Sequence, residues 1–196
     1  VAGRGFGSAV AMMQARRAIR AASASAQSPA ELLDRVSRTL SREVSFATTI
    51  AGVVDPETHV LRYASAGHPL PIYVGGDGTP HVLPAGGVPL GYRAAVASPT
   101  WSITLEPGAS LYLYTDGLLR RSRDILAGES ALRGTLARLR LEPDDDAATA
   151  LHDAIFGESE IADDVVALVL RSSRAAAPEQ RYVYSARPEF VAPARS

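Results

Sequence analysis

The apolar positions of this chain keep a helical period at the front, alternate in the middle, and return to a helical period further on. Over residues 8–22, Val10, Met13 and Arg17 fall on one stripe, with Gln14, Arg16 and Arg20 on polar faces. That spacing predicts a helix, entered through a loop containing Gly3, Gly5 and Gly7. A second helix is better marked. Ser28 at the N-cap, Pro29 at the first helical position and Glu31 at the third form a capping box. Leu32, Leu33, Val36 and Leu40 then follow at helical spacing.

Strand-forming residues take over after that. Phe46 to Val53 and Val60 to Ala64 flank the turn residues Asp55-Pro56-Glu57-Thr58, which is a hairpin pattern. Pro71 to Val74 and Pro80 to Leu83 flank Gly75-Gly76-Asp77-Gly78, a second hairpin. Trp101 to Leu105 and Ser110 to Tyr114 flank Glu106-Pro107-Gly108, a third. Short turns of this kind join antiparallel neighbours. Helices resume with a stripe of Leu132, Leu136 and Leu139, and Asp144 to Asp146 can cap another helix bearing Ala147, Leu151 and Ile155. Val165 to Leu170 is nearly all apolar, which predicts a central strand covered on both faces. Residues 172–180 read as a linker. Tyr182 to Tyr184 suits a strand, and Phe190 to Ser196 the opening of a helix. Helices, many strands, helices and a strand, in that order, indicate an α+β domain.

Composition narrows the functional classes. The chain has 196 residues, of which 46% are hydrophobic and 21% charged, enough apolar material for a core in one domain. Its net charge of -1 argues against nucleic-acid binding by bulk electrostatics. Every basic residue is arginine, which says nothing about mechanism. With no cysteine, disulfides, thiol catalysis and cysteine-ligated zinc are excluded. No apolar run approaches the roughly 20 residues that a membrane helix needs. A cytoplasmic location away from membranes is the expectation.

Two places hold candidate chemistry. Asp116 sits where the strand ending at Tyr114 stops, so its carboxylate is held by the sheet and can face a cleft; it can equally be a turn aspartate serving nearby amides. Asp163 and Asp164 directly precede the last strand, and adjacent carboxylates repel unless something positive lies nearby; a solvated turn or backbone cap is the plainer reading. Aspartates at the ends of two strands can converge, and oxygen-only ligation suits hard cations such as Mg²⁺ or Mn²⁺. His59, His68, His81 and His152 have no paired ligand spacing, which argues against zinc.

In order along the chain, Val1-Ala2-Gly3-Arg4-Gly5, Leu113-Tyr114-Thr115-Asp116-Gly117 and Asp163-Asp164-Val165-Val166 resemble the acidic landmarks of metal-dependent (PPM-type) serine/threonine protein phosphatases. Phe46-Ala47-Thr48, Asp55-Pro56-Glu57-Thr58, Ala64-Ser65-Ala66-Gly67-His68-Pro69 and Pro84-Ala85-Gly86-Gly87-Val88-Pro89-Leu90-Gly91 resemble the SpoIIE-like branch of that family. The resemblance covers residues 1–171 and implies an antiparallel β-sandwich flanked by helices. It implies two Mn²⁺ or Mg²⁺ ions bound by Asp116 and Asp163, the catalytic pair, with the backbone carbonyl of Gly3 as a further ligand. The bridging aspartate of the family would precede Val1, and the family's first strands are missing as well. Arg4 stands where the family has His or Lys. The chain as it stands is therefore expected to be inactive. In such a site, hydrolysis proceeds by a metal-activated water attacking phosphorus in line, without a phosphoenzyme.

His68 is expected to shape a turn, and Gly86, Gly87 and Gly91 to permit tight backbone geometry. Arg120 and Arg121 can face substrate phosphate or form a solvated helix face. The implied substrate is a phosphoserine or phosphothreonine on an anti-anti-sigma (STAS-type) protein in sigma-factor partner switching. Residues 181–196, with Arg181-Tyr182-Val183-Tyr184 and the stretch from Arg187 to Arg195, resemble the first strand and helix of an anti-sigma-factor kinase (HATPase) domain in cis. A disordered tail is the alternative, and no nucleotide-binding motif of that kinase is present. The rival functional readings are a non-catalytic pseudophosphatase that only binds a partner, and an α+β sensor domain whose acidic sites are structural.

Overall fold

The computed structural model describes residues 6–40, 46–92, 98–119, 124–142, 145–157 and 164–172, together with the backbone of 180–185. The chain divides into two compact units. One holds Val1–Leu70 and Pro84–Thr104; the other holds Pro71–Leu83 and Leu105–Ser196.

In the first unit, helix α1 (Phe6–Ser23) and helix α2 (Pro29–Leu40) accompany a three-stranded sheet of β1 (Thr49–Val54), β2 (Val60–Ala66) and β5 (Trp101–Thr104), in the order β1-β2-β5. The capping box forms as expected. The Ser28 hydroxyl accepts the Glu31 N–H at 3.2 Å, while the Glu31 carboxylate reaches back to the N–H of Gln27 at 2.7 Å. Leu33, Val36 and Leu40 of α2 pack against Ala15 and Ala18 of α1 and against Ala64 and Ala66 of β2. The stripe expected through Val10, Met13 and Arg17 is not the buried one. Ala11, Ala15 and Ala18 form the buried face of α1, and Met13 is 55% exposed. Alanine lets α1 approach α2 closely, and α2 supplies the bulk that fills the interface.

The β1–β2 hairpin also forms. The Asp55 carboxylate accepts the N–H groups of Glu57 and Thr58, at 2.9 and 3.1 Å, which closes the turn and holds its pKa below the usual carboxylate range. Tyr63 stacks on Trp101 at 5.8 Å and donates its hydroxyl to the Pro84 carbonyl at 2.7 Å. Gly67, Gly87 and Gly91 all have positive φ. At Gly87 a side chain would meet the carbonyl of Ser65, so only glycine fits there. Gly86 has no such requirement; a Cβ there would meet only Trp101, at 3.8 Å. His68 lies in this turn region. Its N–H donates to the Ser65 hydroxyl at 3.2 Å, and its Nδ1 lies 3.4 Å from the Thr48 hydroxyl.

The second unit contains β3 (Ile72–Val74), β4 (Pro80–Val82), β6 (Ser110–Tyr114), β7 (Val165–Arg171) and β8 (Gln180–Ser185), in the order β4-β3-β6-β7-β8. Every pairing between these named strands, as in the first sheet, is antiparallel. Helix α3 (Ile125–Arg138) and helix α4 (Ala147–Phe156) pack on this sheet. Asp124 caps α3 by accepting the Leu126 N–H, and Asp146 caps α4 by accepting the N–H groups of Ala148 and Thr149. Leu132, Leu136 and Leu151 meet Tyr112, Tyr114, Val165 and Val169 in one core.

The third expected hairpin does not form. The turn is present, with Ala109 N–H donating to the Glu106 carbonyl at 2.9 Å and Gly108 at φ +83°. It nevertheless sends its two strands to different sheets: β5 pairs with β2, and β6 with β3 and β7. Turn residues reverse the chain locally but do not choose a strand's partner. Here Gly108 N–H donates to the Ser172 carbonyl at 2.7 Å and Ser172 N–H to the Ala109 carbonyl at 2.9 Å, which zips the turn's far end to the end of β7. The central position of β7 is as expected, and Leu168 and Leu170 on the face away from the helices are half-buried. Val165 and Val169 are buried in the core on the helix-covered face, and only Val166, near the strand's start, is exposed on the other, at 38%. The strand expected at 182–184 is β8, paired with β7 along its length. The helix expected from Phe190 lies outside the described residues.

Candidate metal centre

Everything that positions Asp116 belongs to β6 and to what β6 touches. Tyr112 and Tyr114 point into the core beneath α3 and α4, and burial raises both phenol pKa values above the usual range. This anchors the strand to its last regular pair, Tyr114 opposite Ala167. The strand then ends abruptly. The Thr115 carbonyl accepts the Leu118 N–H at 3.1 Å and the Asp116 carbonyl accepts the Leu119 N–H at 2.9 Å, closing a single 3-10 turn over Asp116–Leu118. Leu118 and Leu119 are buried in the core, so the turn is pinned from below while Asp116 stays exposed.

Three close approaches hold this turn. Thr115 N–H donates to the Val166 carbonyl at 2.9 Å, and the Thr115 hydroxyl accepts the Val166 N–H at 3.0 Å. A Cβ at Gly117 would run into the carbonyl oxygen of Asp164. On the other side, a Cβ at Gly128 of α3 would stand 2.6 Å from the Leu119 carbonyl oxygen. The Asp116 turn is thus wedged between the entry to β7 and helix α3. Asp164, also exposed, directly precedes β7.

The structure therefore brings the Thr115–Gly117 segment and Asp164 side by side at one end of the second unit's sheet. Asp163 and Gly3, the other expected ligands, lie outside the described residues, as do Arg4, Arg120 and Arg121. Among the described residues no group of three or more His, Cys, Asp or Glu side chains is arranged to hold a metal ion. The two neighbouring acidic segments nevertheless fit a hard divalent cation in kind, since their donors are all oxygen and both aspartates face solvent. His152 Nδ1 lies 3.0 Å from the Asp153 carboxylate, and its ring packs against Phe156.

Sequence reasoning missed the roles of Thr115, Gly117 and Gly128. A hydroxyl residue followed by Asp-Gly at the end of an alternating strand was the available signal for the first two. Nothing along the chain marks Gly128, whose neighbour is a carbonyl on another element.

Comparison with known proteins adds to this geometry. The family model described as Stage II sporulation protein E (SpoIIE) matches residues 1–173. Among solved structures, the RsbU and RsbW domains of Rv1364c from Mycobacterium tuberculosis match with 27% identity and a TM-score of 0.74, over 91% of this chain and 52% of that one. This chain thus spans about half the length of that relative. The SiaA-PP2C domain of Pseudomonas aeruginosa matches with 22% identity and a TM-score of 0.69, over 86% of this chain and 70% of that one. The Mn-presoaked phosphatase domain of SpoIIE from Bacillus subtilis matches with 15% identity and a TM-score of 0.58, over 82% and 74% respectively. The last two likenesses establish the fold alone, that of PP2C-type phosphatase domains.

Proposed function

Because this chain belongs to the SpoIIE family, we propose that the complete protein is a metal-dependent phosphatase acting on phosphoserine or phosphothreonine of an anti-anti-sigma (STAS-type) regulator. The observation that carries this reading is the Thr115-Asp116-Gly117 turn seated against Asp164. Aspartates from two separate motifs are delivered to one sheet end by backbone contacts that no surface turn requires.

In this reading Asp116 and Asp163 hold two Mn²⁺ or Mg²⁺ ions, and the backbone carbonyl of Gly3 contributes a further ligand. When bound, such ions supply an activated water and neutralise phosphate oxygens. The protein's own contribution is placement. The buried tyrosines fix β6, the 3-10 turn presents Asp116, and the entry to β7 places Asp164 beside it. A sigma-factor partner switch is the proposed setting, consistent with the RsbU and RsbW domains in the matched mycobacterial structure.

The test uses the complete protein, its Asp116→Asn variant, and a phosphorylated STAS-type protein as substrate. Mn²⁺-dependent phosphate release is expected from the wild type, reduced by about 100-fold or more in the variant. Undiminished release and unchanged Mn²⁺ affinity in the variant would remove Asp116 from the site. Mn²⁺-independent binding of the STAS protein without release would favour a non-catalytic binding module instead.

A further inference from the structure

Thr115 is the point at which β6 leaves the ladder, and its side chain takes over a bond that its main chain gives up. In an antiparallel ladder, a hydrogen-bonded pair exchanges two bonds, each residue's N–H to the other's carbonyl. Thr115 and Val166 make the first of these, Thr115 N–H to the Val166 carbonyl at 2.9 Å. The second is missing from the main chain, because the Thr115 carbonyl has turned to accept the Leu118 N–H of the 3-10 turn. Val166 N–H would then lose its ladder acceptor. The Thr115 Oγ1 fills that place, accepting it at 3.0 Å. The same oxygen lies 3.5 Å from the Val166 carbonyl, at the limit of a hydrogen bond, so its accepting role is the one that matters.

This substitution solves a geometric conflict. To present Asp116, the strand must turn away one residue after Tyr114. To keep Asp116 beside Asp164, β6 and β7 must stay in register one residue further. A main chain alone cannot do both, whereas a short β-branched hydroxyl residue can, since few χ1 rotamers are open to it. Asp116 follows Thr115 directly, and Asp164 lies two residues before Val166.

We propose that Thr115 is a positioning residue for metal binding: its hydroxyl, standing in for a ladder carbonyl, locks the Asp116 turn onto the entry to β7 at Asp164. This rests on the metal-binding reading given above. It predicts that the hydroxyl, and not the bulk of the side chain, sets metal affinity. Groups that orient ligands from behind typically change metal affinity by about 10- to 100-fold when removed.

The experiment titrates Mn²⁺ into the complete protein and follows free Mn²⁺ by its electron paramagnetic resonance signal, so no turnover is needed. Wild type, Thr115→Val, Thr115→Ser and Asp116→Asn are compared, each with a thermal melt to establish folding. Thr115→Val, which keeps the shape and loses the acceptor, is expected to weaken Mn²⁺ binding by about 10-fold or more. Thr115→Ser is expected to stay within about 3-fold of wild type. Should Thr115→Val not fold, Thr115→Ala is read in its place. Wild-type affinity in the folded Val or Ala variant overturns the proposal, and so does a Ser variant as weak as Val. Those outcomes leave the metal site standing provided that Asp116→Asn still loses Mn²⁺. A wild type that binds no Mn²⁺ takes down the metal reading and this inference with it.

Discussion

Gly117 has no side chain because the carbonyl oxygen of Asp164 stands where one would go. Sequence reading gives a reason for glycine after aspartate, namely turn chemistry. It cannot give this reason, because the obstructing atom belongs to a segment far along the chain. The same limit applies to the acidic pair. Nothing in the order Asp163-Asp164 tells that the Asp164 main chain packs against Gly117, whereas Thr115 and Asp116 themselves were legible as a strand end. Replacing Gly117 with alanine should force the turn and β7 apart. The expected cost is about 1–3 kcal/mol of unfolding free energy, measured by urea denaturation. Gly86→Ala is the matched control, since its added Cβ meets only Trp101 at 3.8 Å, and it should leave stability unchanged or slightly raised. Equal losses at both positions would mean that the Gly117 contact is not the cause.

Elements were legible where a local signal decides them. The capping box of α2 and the Asp146 cap of α4 each satisfy backbone donors within a few residues, so sequence and structure coincide there. The buried face of α1 was not legible, because its alanines are weakly hydrophobic and only the neighbouring α2 makes that face the inside. The partner of β5 was not legible either, since the turn at Pro107 specifies a reversal and not a sheet. Strand β6 supports a pH prediction. Burial raises the pKa of Tyr112 and of Tyr114, and the Glu129 carboxylate adds to the effect at Tyr114. A raised folded pKa means that the unfolded chain releases these protons first, from about pH 10. Their contribution to stability is therefore complete below pH 10 and declines as pH rises beyond it. Urea midpoints measured between pH 8 and pH 11 should fall above pH 10. Tyr114→Phe should flatten that decline, and a variant curve parallel to wild type would show that Tyr114 does not titrate from a buried state.

At the scale of the whole molecule, the ordered set of short motifs told more than any one element. It pointed to the family that the match over residues 1–173 establishes, although it could not show that the chain visits two compact units alternately. The boundary after residue 171 is a different matter. The resemblance of residues 181–196 to the start of a kinase domain places residues 181–185 in a following domain, yet Gln180–Ser185 pair with Val165–Leu170 in register as the fifth strand of the second unit's sheet. Both assignments use the same N–H and C=O groups, so proline substitution separates them. Adjacent residues in a strand point their N–H groups to opposite sides, so only one of Tyr182→Pro and Val183→Pro removes a donor aimed at β7. If β8 belongs to this sheet in the complete protein, that one variant should speed hydrogen exchange at the β7 amides and the other should do so much less. The exposed ladder edge should also make the first variant more prone to self-association. Exchange in β7 that ignores both prolines would show that the 180–185 segment does not guard the β7 amides, and would count against β8 as the fifth strand of this sheet.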